Sequence, residues 1–397
     1  MSIQSRYIPP THRERVAAAS VMLLTAVSVM LAMVTVFSAY GGYFNPDTLP
    51  AAALAAMLLP GLVIIDVVAM ILLFFMCRKL VWVFVVALAL SLPSLVVYCP
   101  IHFKRHLTPE QQHRSFTVMT YNIYHMVDFT NKNGNNTVTP PNPSIQVIID
   151  NNPDIVCIQE VGNPATDTYV GFTQAQADTL SRRYPYILYT REAGLMLMSK
   201  FPVTRIISLD RLSDTAISAG YRFNINGRLL SLYSVHLQSI GLSPEDKALY
   251  HDITDARTST HEIQKVRSQL FSKLYFAFQE RADQARFLRS QVEEHRGNVI
   301  VCGDFNDVPG CYALRTIMGD DMHDAFVEAG TGPAVTYRAG RFYFRIDQIL
   351  YRGAFRAFNT RRVCEGLSDH YPLMTTFVWD EPSIVEENKE IEKPLNQ

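Results

Sequence analysis

Three long apolar runs fill most of the first hundred residues, and they constrain the fold of this chain more than any later feature. Val16 to Tyr40 contains no charged side chain. A bilayer core needs about 20 consecutive apolar residues to be crossed by a helix, and this run has them. Ala51 to Met76 and Leu80 to Tyr98 repeat the pattern, without the one-sided spacing of a helix packed on a soluble core. The sequence therefore predicts three transmembrane helices at about 16–40, 51–76 and 80–98, within an anchor that ends near residue 100. Arg6, Arg13 and Arg15 precede the first run, which exceeds the apolar core of a cleaved signal peptide and leads into more membrane-like sequence.

Those arginines, with Arg78 and Lys79 between the second and third runs, mark the cytoplasmic side. The loop from Gly41 to Pro50 has neither Lys nor Arg and carries Asp47, so it is expected outside. Three crossings then place everything after about Pro100 outside the cytoplasm, against the local bias of Lys104 and Arg105. Asp66 falls within the second run, where a carboxylate is expensive. Pro60-Gly61 offers a kink that would let Asp66 bond inside a helix bundle, a structural reading.

Beyond a linker at 101–114, short β-like runs alternate with helical ones up to residue 379, and an acidic tail follows at 380–397. Strands are expected at Phe116 to Tyr121, Ile155 to Gln159, Leu195 to Met198, Val203 to Ser208, Tyr221 to Ile225, Leu229 to Val235, Asn298 to Cys302, Arg345 to Leu350 and Leu373 to Val378. Helices are expected at Pro143 to Asn151, Thr173 to Arg183 and His261 to His295, the last from the helical spacing of Ile263, Val266, Leu270, Leu274 and Phe278. Lys plus Arg and Asp plus Glu are equal in number between Arg114 and Val378. That balance lacks the basic footprint of a protein that grips nucleic acid by its phosphates. The six cysteines match no metal spacing and leave room for at most one disulfide, through Cys311 or Cys364, while Cys157 and Cys302 read as core residues. Asn135-Asn136-Thr137 is a formal glycosylation sequon.

The run Val299-Ile300-Val301-Cys302-Gly303-Asp304-Phe305-Asn306 delivers an acid and an amide at the end of a buried strand. Residues two apart on a strand share a face, so Asp304 and Asn306 can look into one cleft, an arrangement suited to metal-assisted attack on phosphate. Read locally, the same residues make an ordinary Asx-rich turn. Five more clusters stand at the ends of apolar runs: Thr120-Tyr121-Asn122, Gln159-Glu160, Val235-His236-Leu237, Arg345-Ile346-Asp347 and Ser368-Asp369-His370. A lone His or Glu at such a place is usually structural. Their co-occurrence is what points to chemistry.

In this order, Asn122, Glu160, His236, Gly303-Asp304-Phe305-Asn306, Asp347 and Ser368-Asp369-His370 resemble the endonuclease/exonuclease/phosphatase family, over roughly Ser115 to Trp379. The resemblance implies an α/β fold, a deoxyribonuclease-like four-layer sandwich of two packed β-sheets flanked by helices. It also implies roles. Glu160 would be the main ligand of Mg²⁺, with Mn²⁺ as a substitute, and Asn122 and Asp369 would complete the shell directly or through water. Asp304 would deprotonate the attacking water, and Asn306 would hold a phosphate oxygen. His370, oriented by Asp347, would stabilise the developing charge, and His236 would bind phosphate or assist the leaving oxygen. About sixty residues between His236 and Asn298, including Leu242 to Lys247, look partly inserted and could reshape the cleft.

The expected function is a membrane-anchored, metal-dependent phosphodiesterase or phosphatase that works at the lipid bilayer on a lipid head group or small phosphoester. An anchored extracytoplasmic nuclease would use the same site on nucleic acid. A binding module that had lost catalysis would be expected to lack Glu160, Asp304 or His370, and all three are present.

Overall fold

A computed structural model describes residues 11–103, 105–128, 140–162, 173–190, 194–207, 217–241, 260–295, 297–339 and 343–381. The sequon at Asn135, the strand end at Ser208, the segment from Leu242 to Lys247 and the tail from residue 382 lie outside these. The chain divides into two compact units, Met1–Tyr98 with Gly310–Tyr312, and Cys99–Pro309 with Ala313–Gln397.

In the first unit, helices α1 (His12–Ala39), α2 (Pro50–Met76) and α3 (Arg78–Tyr98) are each long and apolar enough to cross a membrane. A Thr11–Glu14 capping box starts α1. Large apolar side chains such as Leu23, Ile64, Phe75 and Leu92 face outward, while Ser28, Thr35, Ser38, Asp66, Ser91 and Ser94 are buried. This inversion suits lipid, where small and polar residues let helices approach closely. Proline inside a helix frees the carbonyl four residues earlier. Pro60 does so for Ala56, and the Tyr98 hydroxyl donates to that carbonyl at 3.0 Å.

The second unit is built on two six-stranded sheets. The first takes β1 (Ser115–Asn122), β2 (Ile155–Gln159), β3 (Tyr186–Thr190), β4 (Leu195–Ser199), β11 (Phe355–Arg362) and β12 (Leu373–Trp379), in the order β11-β12-β1-β2-β4-β3. The second takes β5 (Val203–Ile207), β6 (Ile217–Ile225), β7 (Arg228–His236), β8 (Val299–Asp304), β9 (His323–Asp324) and β10 (Asp347–Arg352), in the order β5-β6-β7-β8-β10-β9. Each sheet has a parallel pair near its centre, β1 with β2 and β7 with β8.

Alternation along the strands sorts the core. Phe116 and Val118 of β1, Tyr221 and Phe223 of β6, Ile300 and Cys302 of β8 and Phe377 of β12 pack between the sheets. Met119 and Tyr121, one residue out of phase, pack instead with Ile145 and Ile148 of helix Pro143–Asn151 and Leu180 of helix Gln174–Arg183. On the second sheet the Tyr233 hydroxyl donates to the Gln291 carbonyl at 3.1 Å, and Arg352 donates to the Val292 carbonyl at 2.7 Å, both on helix Thr260–Glu294. The result is the expected order of helix, sheet, sheet, helix.

Three strands were not expected. β3 and β11 are sheet edges, and β11 carries Arg356, Asn359 and Arg361 with a bulge between Ala357 and Asn359, which breaks the alternation. β9 is only two residues long. The strand expected from Arg345 begins at Asp347, because Arg345 is buried in an ion pair with Asp324 instead of pairing along the sheet. All six cysteines are free, so no bridge forms at Cys311 or Cys364.

Candidate functional site

Strand register brings the predicted side chains together at one end of the sandwich. Asn122, opposite Gln159, ends β1, and Glu160 follows β2 directly. His236 stands opposite Asp304 across the β7–β8 pair, and Asp347 stands opposite Asp304 across β8–β10. Close approach of β7 and β8 needs Gly303, where a Cβ would lie 1.9 Å from the Val235 carbonyl oxygen.

Asp304 is the centre of this cluster. It is 1% exposed, its Oδ2 accepts from Asn122 Nδ2 at 3.0 Å, and its Oδ1 accepts from the Asn306 backbone at 2.8 Å. His370 Nε2 and His236 Nε2 lie 3.6 and 3.8 Å from Oδ2. Burial pushes the Asp304 carboxyl above its ordinary pKa, the neighbouring His370 and His236 pull it down, and the nearby Asp347 pushes it further up.

His370 Nδ1 lies 2.9 Å from Asp347 Oδ2. Burial opposes charge on the ring, but the carboxylates of Asp347 and Asp304 overcome it and raise the imidazole to about 10. Asp347 is held from behind by the Thr336 hydroxyl, which accepts from its backbone N–H at 3.1 Å. The Tyr337 ring meets the His370 ring edge to face, with centroids 5.0 Å apart.

Glu160 sits at φ +54°, a conformation that costs a non-glycine residue of order 1 kcal/mol or more and is found mainly at functional positions. Its side chain is 26% exposed, far more than Asp304 or Asp347, with His236 Nε2 at 3.5 Å and His125 Nε2 at 3.8 Å. Asn122 Nδ2 donates to Glu160 Oε1 at 3.0 Å, while its Oδ1 accepts from the Tyr124 backbone at 3.2 Å. Asn122 therefore presents donors to two carboxylates, and its own carbonyl is turned away from them. Asn306 also has a positive φ, +52°, and its side-chain amide donates to the Leu237 carbonyl at 2.9 Å. Asp369 is brought up beside His370 by Ser368, whose hydroxyl donates to the Asn122 carbonyl at 2.7 Å and accepts from the His370 N–H at 3.0 Å.

Several supporting residues escaped the sequence reading. Thr336 and Tyr337 brace the His370 end, beside Ser368 of the cluster the sequence had already marked. At the other end Arg281 is 1% exposed, pairs with Asp307 at 3.1 Å and donates to the Gln238 carbonyl at 2.9 Å, while Gln284 accepts from the Gln238 N–H at 2.9 Å. Arg281 thus clamps the segments that follow His236 and Asn306 together, and Gln284 adds a second hold on the first. An arginine on the apolar stripe of the long helix, between Phe278 and Ala285, was the available signal. Beneath the site, Gln159 of the first sheet donates to Ser234 of the second at 3.4 Å.

The donor set fits a hard divalent ion. Asp304, Asp347 and His370 place one ligand atom each within 4.8 Å of one another, and Asp347 Oδ1 is buried without a hydrogen-bond partner among the described residues. Those three are already engaged with one another and deeply buried, whereas Glu160 is the carboxylate of the cluster open to solvent. Oxygen donors of this kind suit Mg²⁺ or Mn²⁺.

Residues 119–370 match the Endonuclease/Exonuclease/phosphatase family, and residues 21–98 match a domain of unknown function. No curated protein matches the chain. Among solved structures, a truncated TDP2 from Caenorhabditis elegans is similar at 18% identity and a TM-score of 0.42, over 66% of this chain and 98% of that one. An endonuclease/exonuclease/phosphatase from Beutenbergia cavernae reaches 19% identity and a TM-score of 0.45, over 67% and 72%. A family protein from Bacteroides thetaiotaomicron reaches 16% and 0.44, over 67% and 98%.

Proposed function

This chain belongs to the Endonuclease/Exonuclease/phosphatase family, and on that premise we propose that it is a membrane-anchored, divalent-metal-dependent phosphoester hydrolase with its catalytic domain outside the cytoplasm. The observation that carries the reading is the environment of Asp304, a buried carboxylate held by Asn122 and faced by two imidazoles.

In this reading Glu160 and Asp369 would hold the ion, and Asn122 orients Glu160 against Asp304. A bound ion would supply charge neutralisation at the phosphoryl oxygens and a lowered pKa for water. Asp304 takes the proton of the attacking water, and its raised pKa makes it a stronger base than an exposed aspartate. His370, kept charged by Asp347, donates a hydrogen bond to the phosphoryl oxygen on which charge develops. His236, adjacent to both Glu160 and Asp304, is placed to assist the leaving oxygen. Asn306 keeps one amide hydrogen for a phosphate oxygen while the other holds Leu237.

A lipid head group or small phosphoester is the favoured substrate. A tether to the bilayer raises the effective concentration of a lipid phosphoester, and the charge-balanced domain offers no surplus of base for a duplex. Purified full-length protein should be assayed on phospholipid vesicles, sphingomyelin, inositol phosphates, DNA and RNA, with Asp304→Asn as control. Turnover of a lipid or small phosphoester, lost in the variant, is expected. Cleavage of DNA alone, falling about 10³-fold between 50 and 200 mM salt, would make it a nuclease instead.

A further inference from the structure

The interior of the three-helix bundle contains polar oxygens that the phosphoester site does not use. Asp66, midway along α2, is 0% exposed, and among the described residues neither carboxylate oxygen has a partner within 3.5 Å in hydrogen-bonding geometry. Thr35 on α1, also 0% exposed, is its interacting hydroxyl neighbour. Ser38 lies almost one helical turn further along the same buried face of α1. The Oγ atoms of Thr35 and Ser38 are likewise buried without partners in hydrogen-bonding geometry among the described residues.

Hydroxyls in apolar helices normally bond to a backbone carbonyl, and others in this bundle do so. Thr25 donates to Val21 at 2.7 Å and Ser91 to Ala87 at 2.8 Å. Thr35 and Ser38 are exceptions, and Thr35 is the hydroxyl that meets the one carboxylate in the spans. Between Val16 and Met76, and again between Leu80 and Tyr98, there is no Lys, Arg or His to neutralise it.

We propose that Asp66 and Thr35, with Ser38 as an additional hydroxyl, form a binding site for a monovalent alkali cation, Na⁺ in particular, inside the bundle. The donors are all oxygens, which favours a hard cation over a transition metal. One carboxylate neutralises one positive charge. A divalent ion would leave the bundle interior charged, at a cost of several kcal/mol in so apolar a setting. A proton would silence the charge as well, and the dependence of Tm on pH separates the two.

The test is thermal unfolding of the full-length protein in lipid nanodiscs at constant ionic strength, with NaCl, KCl or N-methylglucamine chloride. Saturable stabilisation by Na⁺ is expected, a rise in Tm of about 3 °C or more at 150 mM. Asp66→Asn should abolish it. Thr35→Val, which keeps the side-chain volume, should shift half-saturation at least several-fold to higher Na⁺, so the result does not depend on one variant folding. Equal stabilisation by all three salts, a Na⁺ response that survives Asp66→Asn, or a Tm that follows pH but no alkali cation would overturn the site.

Discussion

His370 Nδ1 and Asp347 Oδ2 stand 2.9 Å apart with both side chains buried, so neither can lose its charge without stranding the other. His370→Ala is expected to lower kcat by about 10² or more, and Asp347→Asn by less. The double variant should lose little beyond His370→Ala alone. Loss of the full sum would mean that the two do not act as a pair.

The same pair sets a pH dependence. The folded pKa of His370, about 10, lies above its ordinary 6.5, so the stabilisation it provides is complete below pH 6.5 and is lost as pH rises towards 10. In metal-free protein the stability cost of Asp347→Asn should therefore be largest near pH 6 and shrink towards pH 10, as measured by urea midpoints. An equal cost at both ends would contradict a charged imidazole.

Asp304 shares the direction of the shift, so its contribution also falls as pH rises above its ordinary 3.8, but here the charged form is the one the fold opposes. Because its folded pKa is raised, the fold disfavours its ionised form at neutral pH. Asp304→Asn should lose about 10² or more in kcat yet melt no lower, and higher if the cost of the buried charge dominates. A large drop in Tm would make Asp304 a structural anchor.

Chelation should abolish turnover, and added Mg²⁺ or Mn²⁺ should restore it, since Glu160 and Asp369 offer only oxygen donors. Glu160→Gln should raise the Mg²⁺ concentration needed for half-activity. Full activity after exhaustive chelation would exclude the metal site.

Arg281 and Asp307 predict a coupled stability effect. Arg281→Ala leaves a buried carboxylate unpaired and should cost about 3–5 kcal/mol. Arg281→Met with Asp307→Leu should recover much of that loss in chemical unfolding. Recovery of stability without recovery of kcat would separate the clamp's positional role from its structural one.

Much of this site was legible because its residues stand where apolar runs stop. Asn122, Glu160, His236 and Asp304 each follow or close a strand whose core side chains mark it in the sequence. The three membrane helices were equally plain, since lipid imposes length and apolarity directly. The edge strands β3 and β11 were not, because an edge is only partly buried and its pattern is diluted. Arg345 misled and Arg281 went unread for one reason: a buried ion pair reads as surface until its partner, Asp324 or Asp307, is seen across the fold. The direction in which Asn122 presents its amide also lay beyond sequence, since it depends on the backbone of Tyr124.

Finally, β1 pairs on one side with β2 and on the other with β12, the last strand of the domain. During synthesis, β1 must wait with one edge bare through more than two hundred residues, until Leu373 to Trp379 have left the ribosome. His370 arrives with the same segment. The nascent domain can therefore be neither sealed nor catalytically complete early, and a chain that stops short of β12 would expose a template for aggregation while lacking the histidine.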